Sequence, residues 1–260
     1  MRAADYDFFR PSFLPFAHRG GALYPPNLHR ENTRHAFEQA AALGYRYFET
    51  DVHATADGVL LAFHDDRLDR VTDRTGMVAE LPWWAVSQAR IHGRDPIPRL
   101  AELLTAFPDA RFNIDAKSAG AVDLLAEAIA EHEAWDRVCV SSFGVGRLHR
   151  LRRRVGRRVA SSASAAGVAT NRFLPWLTRV LNTPAPALQI PVRHLLGRRE
   201  VTLLTPTLIR AVHRAGKQVH VWTVDDAPLM EWLLDQGVDG IFTDRVDTLK
   251  NVLQTRGRWA

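Results

Sequence analysis

Glu49 and Asp51 stand two residues apart in the stretch 47–66, YFETDVHATADGVLLAFHDD. If that stretch begins as a strand, positions i and i+2 share a face, and the two carboxylates converge on one point. Like charges so placed repel unless a cation lies between them, and a hard divalent ion is the simplest candidate. The lead-in of Tyr45, Tyr47 and Phe48 is aromatic and argues for burial, where carboxylates need partners. On an exposed strand the same acid pair would be an ordinary surface feature. His53 shares the carboxylate face further along. His64-Asp65 arrives after a short Asp57-Gly58 turn and brings an imidazole able to act as acid or base.

Two further clusters extend this chemistry. His18-Arg19-Gly20-Gly21 directly follows an apolar run. The imidazole is able to act as acid or base, Arg19 offers a planar fork suited to phosphate, and the glycines are expected to let backbone N–H groups approach an anion. The plainer alternative is a strand-end histidine beside a turn. In FNIDAK, Asn113, Asp115 and Lys117 form one polar face. At a barrel mouth Asp115 would be a third metal carboxylate and Lys117 would neutralise a phosphoryl oxygen; a Lys–Asp pair on a sheet edge is the competing reading. Two histidines with three carboxylates suit phosphodiester cleavage. One group takes a proton from the nucleophile, another protonates the leaving alkoxide, and a cation stabilises phosphoryl charge. Ligands that are all oxygens favour Mg2+ or Ca2+ over zinc.

Such residues need a scaffold that gathers them. Short apolar runs at 13–18, 47–53, 111–117, 138–143, 158–164, 187–192, 218–224 and 240–244 alternate with helical patterns, with an added strand or hairpin arm at 59–64. Asn32 or Thr33 is a suitable N-cap for a helix over 34–43, which Gly44 stops. Eight strands alternating with helices over this length predict a (β/α)8 barrel; a doubly wound open sheet is the alternative. In a barrel the chemistry belongs at the C-terminal strand ends. His18, Glu49/Asp51, Asp115/Lys117, Ser141/Ser142, Trp222/Thr223 and Asp244 fall there.

At 260 residues, 46% hydrophobic and 24% charged, the chain has the composition of a globular α/β protein. Cys139 has no second cysteine to pair with, no apolar window reaches about 18 residues, and the acidic, proline-containing N-terminus lacks a signal-peptide pattern. A cytoplasmic location is expected. The net charge of +5 points to anionic partners, and much of it lies in RLHRLRRRVGRR at 147–158. A solvated helix surface accounts for that run, with a membrane surface or nucleic acid as alternatives. No zinc-finger spacing or aromatic RNA-binding motif accompanies it, so nucleic acid is not the expected partner.

Taken together, HRGG (18–21), ENT (31–33), ETDVHATADG (49–58), HDDRLDRVT (64–72), NIDAK (113–117), VHVWTVDD (219–226) and DGIFTDRVD (239–247) resemble the glycerophosphodiester phosphodiesterase family. The resemblance spans His18 to about residue 249. It implies a single TIM-barrel domain over 1–260 with a small insertion at about 57–99. It implies His18 and His64 as the acid–base pair, Glu49, Asp51 and Asp115 as metal ligands, and Arg19 and Lys117 as phosphate contacts. The family usually carries Glu where this chain has Asp115, one methylene shorter. Trp222 would line the substrate pocket, with core packing as the alternative; Glu31 and Asn32 would order the loop beside His18. The expected substrate is a small glycerophosphodiester, giving glycerol 3-phosphate and an alcohol. The competing substrate is a lysophospholipid: Gln189-Ile190-Pro191 and the run to Pro206 resemble the family's lysophospholipase D branch. Residues 173–181, with Trp176 and Leu177, would then form a flap and a peripheral membrane contact. No obligate protein partner is evident. A non-catalytic anion- or membrane-binding barrel is the reading from another class. Direct attack by water and attack by the adjacent glycerol hydroxyl both stay open.

Overall fold

A computed structural model of the chain describes residues 1–174, 184–197 and 199–259. Eight parallel strands form one sheet: β1 (Leu14–His18), β2 (Tyr47–Ala54), β3 (Arg111–Ala116), β4 (Val138–Ser141), β5 (Ala160–Ser161), β6 (Ala187–Ile190), β7 (Gln218–Val221) and β8 (Gly240–Thr243). Their spatial order is β5-β4-β3-β2-β1-β8-β7-β6. The bridge Ser162–Ala187 joins the two ends, so the sheet curls into a nearly closed (β/α)8 barrel.

The helices that cover it are α1 (Arg34–Ala42), α2 (Trp83–Val86), α3 (Leu100–Ala106), α4 (Ala121–Glu131), α5 (Val145–Val155), α6 (Ala165–Phe173), α7 (Pro206–Arg214), α8 (Ala227–Gln236) and α9 (Val246–Thr255). Side chains cap several of their starts. Thr33 accepts from the Ala36 N–H, Thr205 from Leu208 and Asp226 from Leu229. Of the two expected caps for α1, Thr33 serves, and Asn32 is left for the site. In α5 the apolar positions Leu148, Leu151 and Val155 face inward at helical spacing. Its outer arginines partly pair with neighbours, Arg150 and Arg154 with Asp123 of α4, and beyond its end Arg158 pairs with Asp136.

The barrel floor is aromatic. The Phe16 ring stacks on Phe242 at 4.1 Å and meets Tyr47 at 5.4 Å edge-on. Phe8 and Phe9, from the segment preceding β1, close the floor against Tyr47 and His220. The Tyr47 hydroxyl donates to the Phe8 carbonyl at 2.7 Å. Each such buried ring contributes about 1.5–3 kcal/mol. Above this layer Gln189 donates to the Asn113 side chain at 2.7 Å and to His220 Nδ1 at 3.4 Å. His220 Nε2–H donates in turn to Gln218 Oε1 at 2.9 Å, so a fully buried imidazole is satisfied as a neutral ring. A Cβ at Gly240 would lie 3.0 Å from that imidazole and 2.9 Å from the Leu14 carbonyl, so glycine makes room for both.

Between β2 and β3 the chain adds an antiparallel arm (Leu60–Ala62) on β2, and α2 with a short hairpin, Arg90–Ile91 with Asp95–Pro96. Leu61, Phe63, Leu68, Val71, Val78, Val86 and Ile91 pack as a cluster of their own. A second hairpin, Arg193–Leu196 with Arg199–Thr202, follows β6 and was not expected from the sequence. Neither was α6. Most of the stretch expected as a flap, 173–181, lies outside the described residues, Trp176 and Leu177 included; within them, Phe173 and Leu174 are exposed.

Candidate active site

The candidate residues collect at the C-terminal ends of β1, β2, β3 and β8. β2 is buried along its whole length. Phe48 and Val52 pack outward under the helices, which leaves Glu49 and Asp51 on the opposite, inner face. In register, Glu49 lies beside His18 on one side, and Asp51 lies beside Asp115 on the other.

His18 sits between two carboxylates. Its Nδ1–H donates to Asp244 Oδ1 at 2.8 Å, and Nε2 faces Glu49 Oε2 at 3.6 Å. Burial works against its charge, but Glu49 and the hydrogen-bonded Asp244 outweigh burial and raise the imidazole to about 9. Burial and the neighbouring Asp51 push Glu49 up to about 7, against His18, Arg19 and Lys117.

Lys117 bridges the other pair. Its Nζ lies 2.9 Å from Asp51 Oδ1 and 2.7 Å from Asp115 Oδ2. The Asp115 contact is ionic rather than a directed bond, since neither Asp115 oxygen has a well-aligned hydrogen-bond donor. Burial opposes charge on Asp51, yet Lys117 and Arg19 hold its carboxyl low. Burial keeps Asp115 above the usual carboxylate range despite Lys117. Arg19 Nε stands 3.5 Å from Asp51, while Arg19 NH1 donates to Glu31 at 3.1 Å.

His64 stands on the inserted segment. Its Nδ1 pairs with Asp65 at 2.6 Å, and its carbonyl accepts from His53 Nε2 at 3.1 Å. Arg70 then forks between Asp65 and Glu31, with bonds of 2.6 Å to each. A chain of alternating charge thus runs Arg19–Glu31–Arg70–Asp65–His64. It ties the second histidine to Arg19. Trp222 joins the site through Phe143: the two rings meet edge-on at 5.7 Å, and Lys117 Nζ lies 5.4 Å from the Phe143 centroid.

One expectation is corrected. The N–H groups of Gly20 and Gly21 donate within a turn, to the Ala17 and His18 carbonyls, and are not turned toward an anion. Glycine at position 20 answers a packing need: φ is +84°, and a Cβ would lie 2.7 Å from that of Ala36. Four residues emerge that the sequence did not single out for these tasks. Asp244 orients His18. Asn32 accepts from Thr50 Oγ1 at 2.8 Å and turns its amide toward Asp51. Arg70 forks as described. Asn27, fully buried, donates to the carbonyls of Gly20, Gly21 and Ala36 and holds the His18 loop against α1.

Among the described residues no three side chains of His, Cys, Asp or Glu are gathered closely enough to ligate an ion as they stand. The donor set nonetheless fits a hard cation. Glu49, Asp51 and Asp115 are buried oxygen donors, and Asp115 Oδ1 has no hydrogen-bond partner. Burial together with the neighbouring Asp51 raises Glu49, and a hard cation would favour its charged form.

A barrel whose mouth gathers two imidazoles, buried carboxylates and cationic side chains has the makings of a phosphoester hydrolase. The sequence profile of the glycerophosphoryl diester phosphodiesterase family matches residues 18–248, and the chain belongs to that family. It is therefore a phosphodiesterase acting on glycerophosphodiesters. The family generally depends on a divalent cation. The chain is 43% identical to "Probable glycerophosphodiester phosphodiesterase 2" of Mycobacterium tuberculosis, over 95% of this chain and 92% of that one. It is 29% identical to a glycerophosphodiester phosphodiesterase of Caldanaerobacter subterraneus, over 94% and 99%. A mouse lysophospholipase D is more distant, at 25% over 91% and 85%. An Oleispira antarctica phosphodiesterase, solved with the product sn-glycerol-3-phosphate, shares the fold at a TM-score of 0.75 and 23% identity, over 93% and 96%.

Proposed function

We propose that the protein hydrolyses small glycerophosphodiesters to glycerol 3-phosphate and an alcohol, with His18 and His64 as the acid–base pair. The single observation that carries the role assignment is the placement of His18: its Nδ1 is engaged by Asp244 while Nε2 faces the Glu49, Asp51, Asp115 cluster. His64 is held in the same way, with Nδ1 on Asp65 and Nε2 left for proton transfer. Across the reaction the phosphorus gains an oxygen from the nucleophile and loses its bond to the alcohol oxygen. One Nε2 accepts the nucleophile's proton and the other donates to the leaving oxygen. Arg19 and Lys117 bind the phosphoryl oxygens, and Trp222 with Phe143 walls the pocket.

Glu49, Asp51 and Asp115 would hold Mg2+ or Ca2+. When bound, that ion neutralises charge developing on the phosphoryl oxygens. Release of glycerol 3-phosphate, assayed with and without EDTA and in His18→Ala, tests the reading; activity that survives either treatment overturns it. The inserted segment, about 57–99, carries His64 to the mouth of what we take to be one domain.

A lysophospholipid substrate is the second reading. The exposed Phe173 and Leu174, beside Arg172, favour it as an interfacial contact. Phe173→Asp with Leu174→Asp should then lower turnover of lysophosphatidylcholine and spare glycerophosphocholine; equal turnover of both rejects it. Among the described residues no helix is long and apolar enough to cross a membrane. The lone buried Cys139, its thiol pushed well up by burial, suits a cytoplasmic setting.

A further inference from the structure

Beside the catalytic cluster lies an open cavity of about 360 Å³. Arg19 and Asp244 form its inner wall, so it is continuous with the site described above. Its outer wall is made by Leu23 and Leu28, which are 47% and 45% exposed, and by His29 and His92. Large apolar side chains left half in water at the edge of a site are expected where a ligand covers them. The two imidazoles come from different loops, the one before α1 and the turn of the Arg90–Pro96 hairpin, and their rings meet at 4.7 Å. Both residues adopt left-handed backbone conformations, with φ of 64° and 45°. The loops are clamped together by Arg30, which grips Asp95 with two bonds of 2.7 Å.

The charges around this cavity are already committed. Glu31 is held by both Arg19 and Arg70, and Asp244 by His18. Among the described residues no Phe, Tyr or Trp lines it. A quaternary ammonium group calls for an aromatic cage or an uncommitted carboxylate, and this wall offers neither. Aliphatic surface plus two imidazoles suits an uncharged alcohol, with carbons against the leucines and hydroxyls on the ring nitrogens.

Resting on the phosphodiesterase reading, we propose that this cavity is the subsite for the leaving alcohol and that it selects neutral polyols over quaternary ammonium alcohols. Three diesters of glycerol 3-phosphate test it: those of glycerol, choline and methanol, the last too short to fill the cavity. Wild-type enzyme should favour the glycerol diester over the choline diester in kcat/KM by about tenfold. Asparagine tolerates the left-handed conformation, so His29→Asn with His92→Asn keeps the loops. This double variant should lower the glycerol-to-methanol ratio of kcat/KM by about tenfold. Leu28→Asp, at an exposed position, places an uncommitted carboxylate in the cavity and should raise the choline-to-glycerol ratio. Unchanged ratios in active variants, or a wild-type preference for choline, overturn the subsite alone. A wild-type enzyme that cleaves none of the three overturns the phosphodiesterase reading and this proposal with it.

Discussion

His18 and Asp244 meet at 2.8 Å, from adjacent strands β1 and β8 that stand 226 residues apart in sequence. The contact fixes which imidazole nitrogen faces the carboxylate cluster, because Nδ1 is occupied and only Nε2 is presented. Asp244 is held in turn: its N–H donates to Asp225 Oδ1 at 2.7 Å. Asp244→Asn keeps the shape and removes the charge that favours the Nδ1–H form. We expect kcat to fall by about 10²-fold with little change in KM, since orientation acts on proton transfer rather than on binding. Steady-state kinetics on a glycerophosphodiester decide it; a rise in KM at constant kcat would assign Asp244 to substrate binding instead.

Lys117 occupies the space between Asp51 and Asp115 that a second cation would compete for. Lys117→Met removes one positive charge from a buried acidic pair. Divalent-cation affinity of the protein, measured by calorimetry without substrate, should therefore rise several-fold, while kcat falls by at least about tenfold with the loss of a phosphoryl contact. An unchanged or weaker cation affinity would place the ion away from Asp51 and Asp115.

What the sequence disclosed, and what it hid, follow from the range of the interactions. Glu49/Asp51 and Asp115/Lys117 were legible because strand periodicity of two acts between neighbours, and it assigns face and strand end together. The start of α1 was legible for the same local reason, Thr33 being one of its two expected caps. Asp244 was visible as a polar strand end, but its task was not, since no local pattern joins positions 18 and 244. Arg70 lies in a segment whose shape comes from its own small core rather than from periodicity. The hairpin Arg193–Leu196 with Arg199–Thr202 escaped because RHLL and REVT do not alternate cleanly, and it stands off the barrel. The glycines of HRGG were read as anion contacts, whereas Ala36 and the left-handed φ require one at position 20; sequence does not separate those causes.

Asn27 shows how much a loop side chain can carry. One amide nitrogen donates at 2.9, 3.3 and 3.2 Å to Gly20, Gly21 and Ala36 carbonyls. Asn27→Ala strands these acceptors in a buried place. The expected loss is about 2–4 kcal/mol, bounded by the ~1–3 kcal/mol for each unsatisfied buried group and by partial access of water. Asn27→Asp should cost more, because a carboxylate would face three carbonyl oxygens. Urea denaturation reads both; a loss below about 1 kcal/mol in Asn27→Ala would mean that the His18 loop holds itself.

His220 gives the protein a sensitivity to acid that has nothing to do with the catalytic cluster. The ring is fully buried beside Phe9 and Phe16, and burial lowers it to about 3 from an ordinary 6.5. The folded value lies below the unfolded one. Above about pH 6.5 neither state holds a proton there, and this group leaves stability independent of pH. As pH falls from about 6.5 toward 3, the unfolded chain takes up a proton that the folded chain refuses. Stability then falls by up to about 1.4 kcal/mol per pH unit from this residue. His220→Gln keeps a donor and an acceptor in the barrel and does not titrate. Between pH 7 and pH 5 the wild-type protein should lose about 2 kcal/mol more unfolding free energy than His220→Gln does. Parallel losses in the two proteins would show that the barrel interior accepts the proton, by opening or by admitting water.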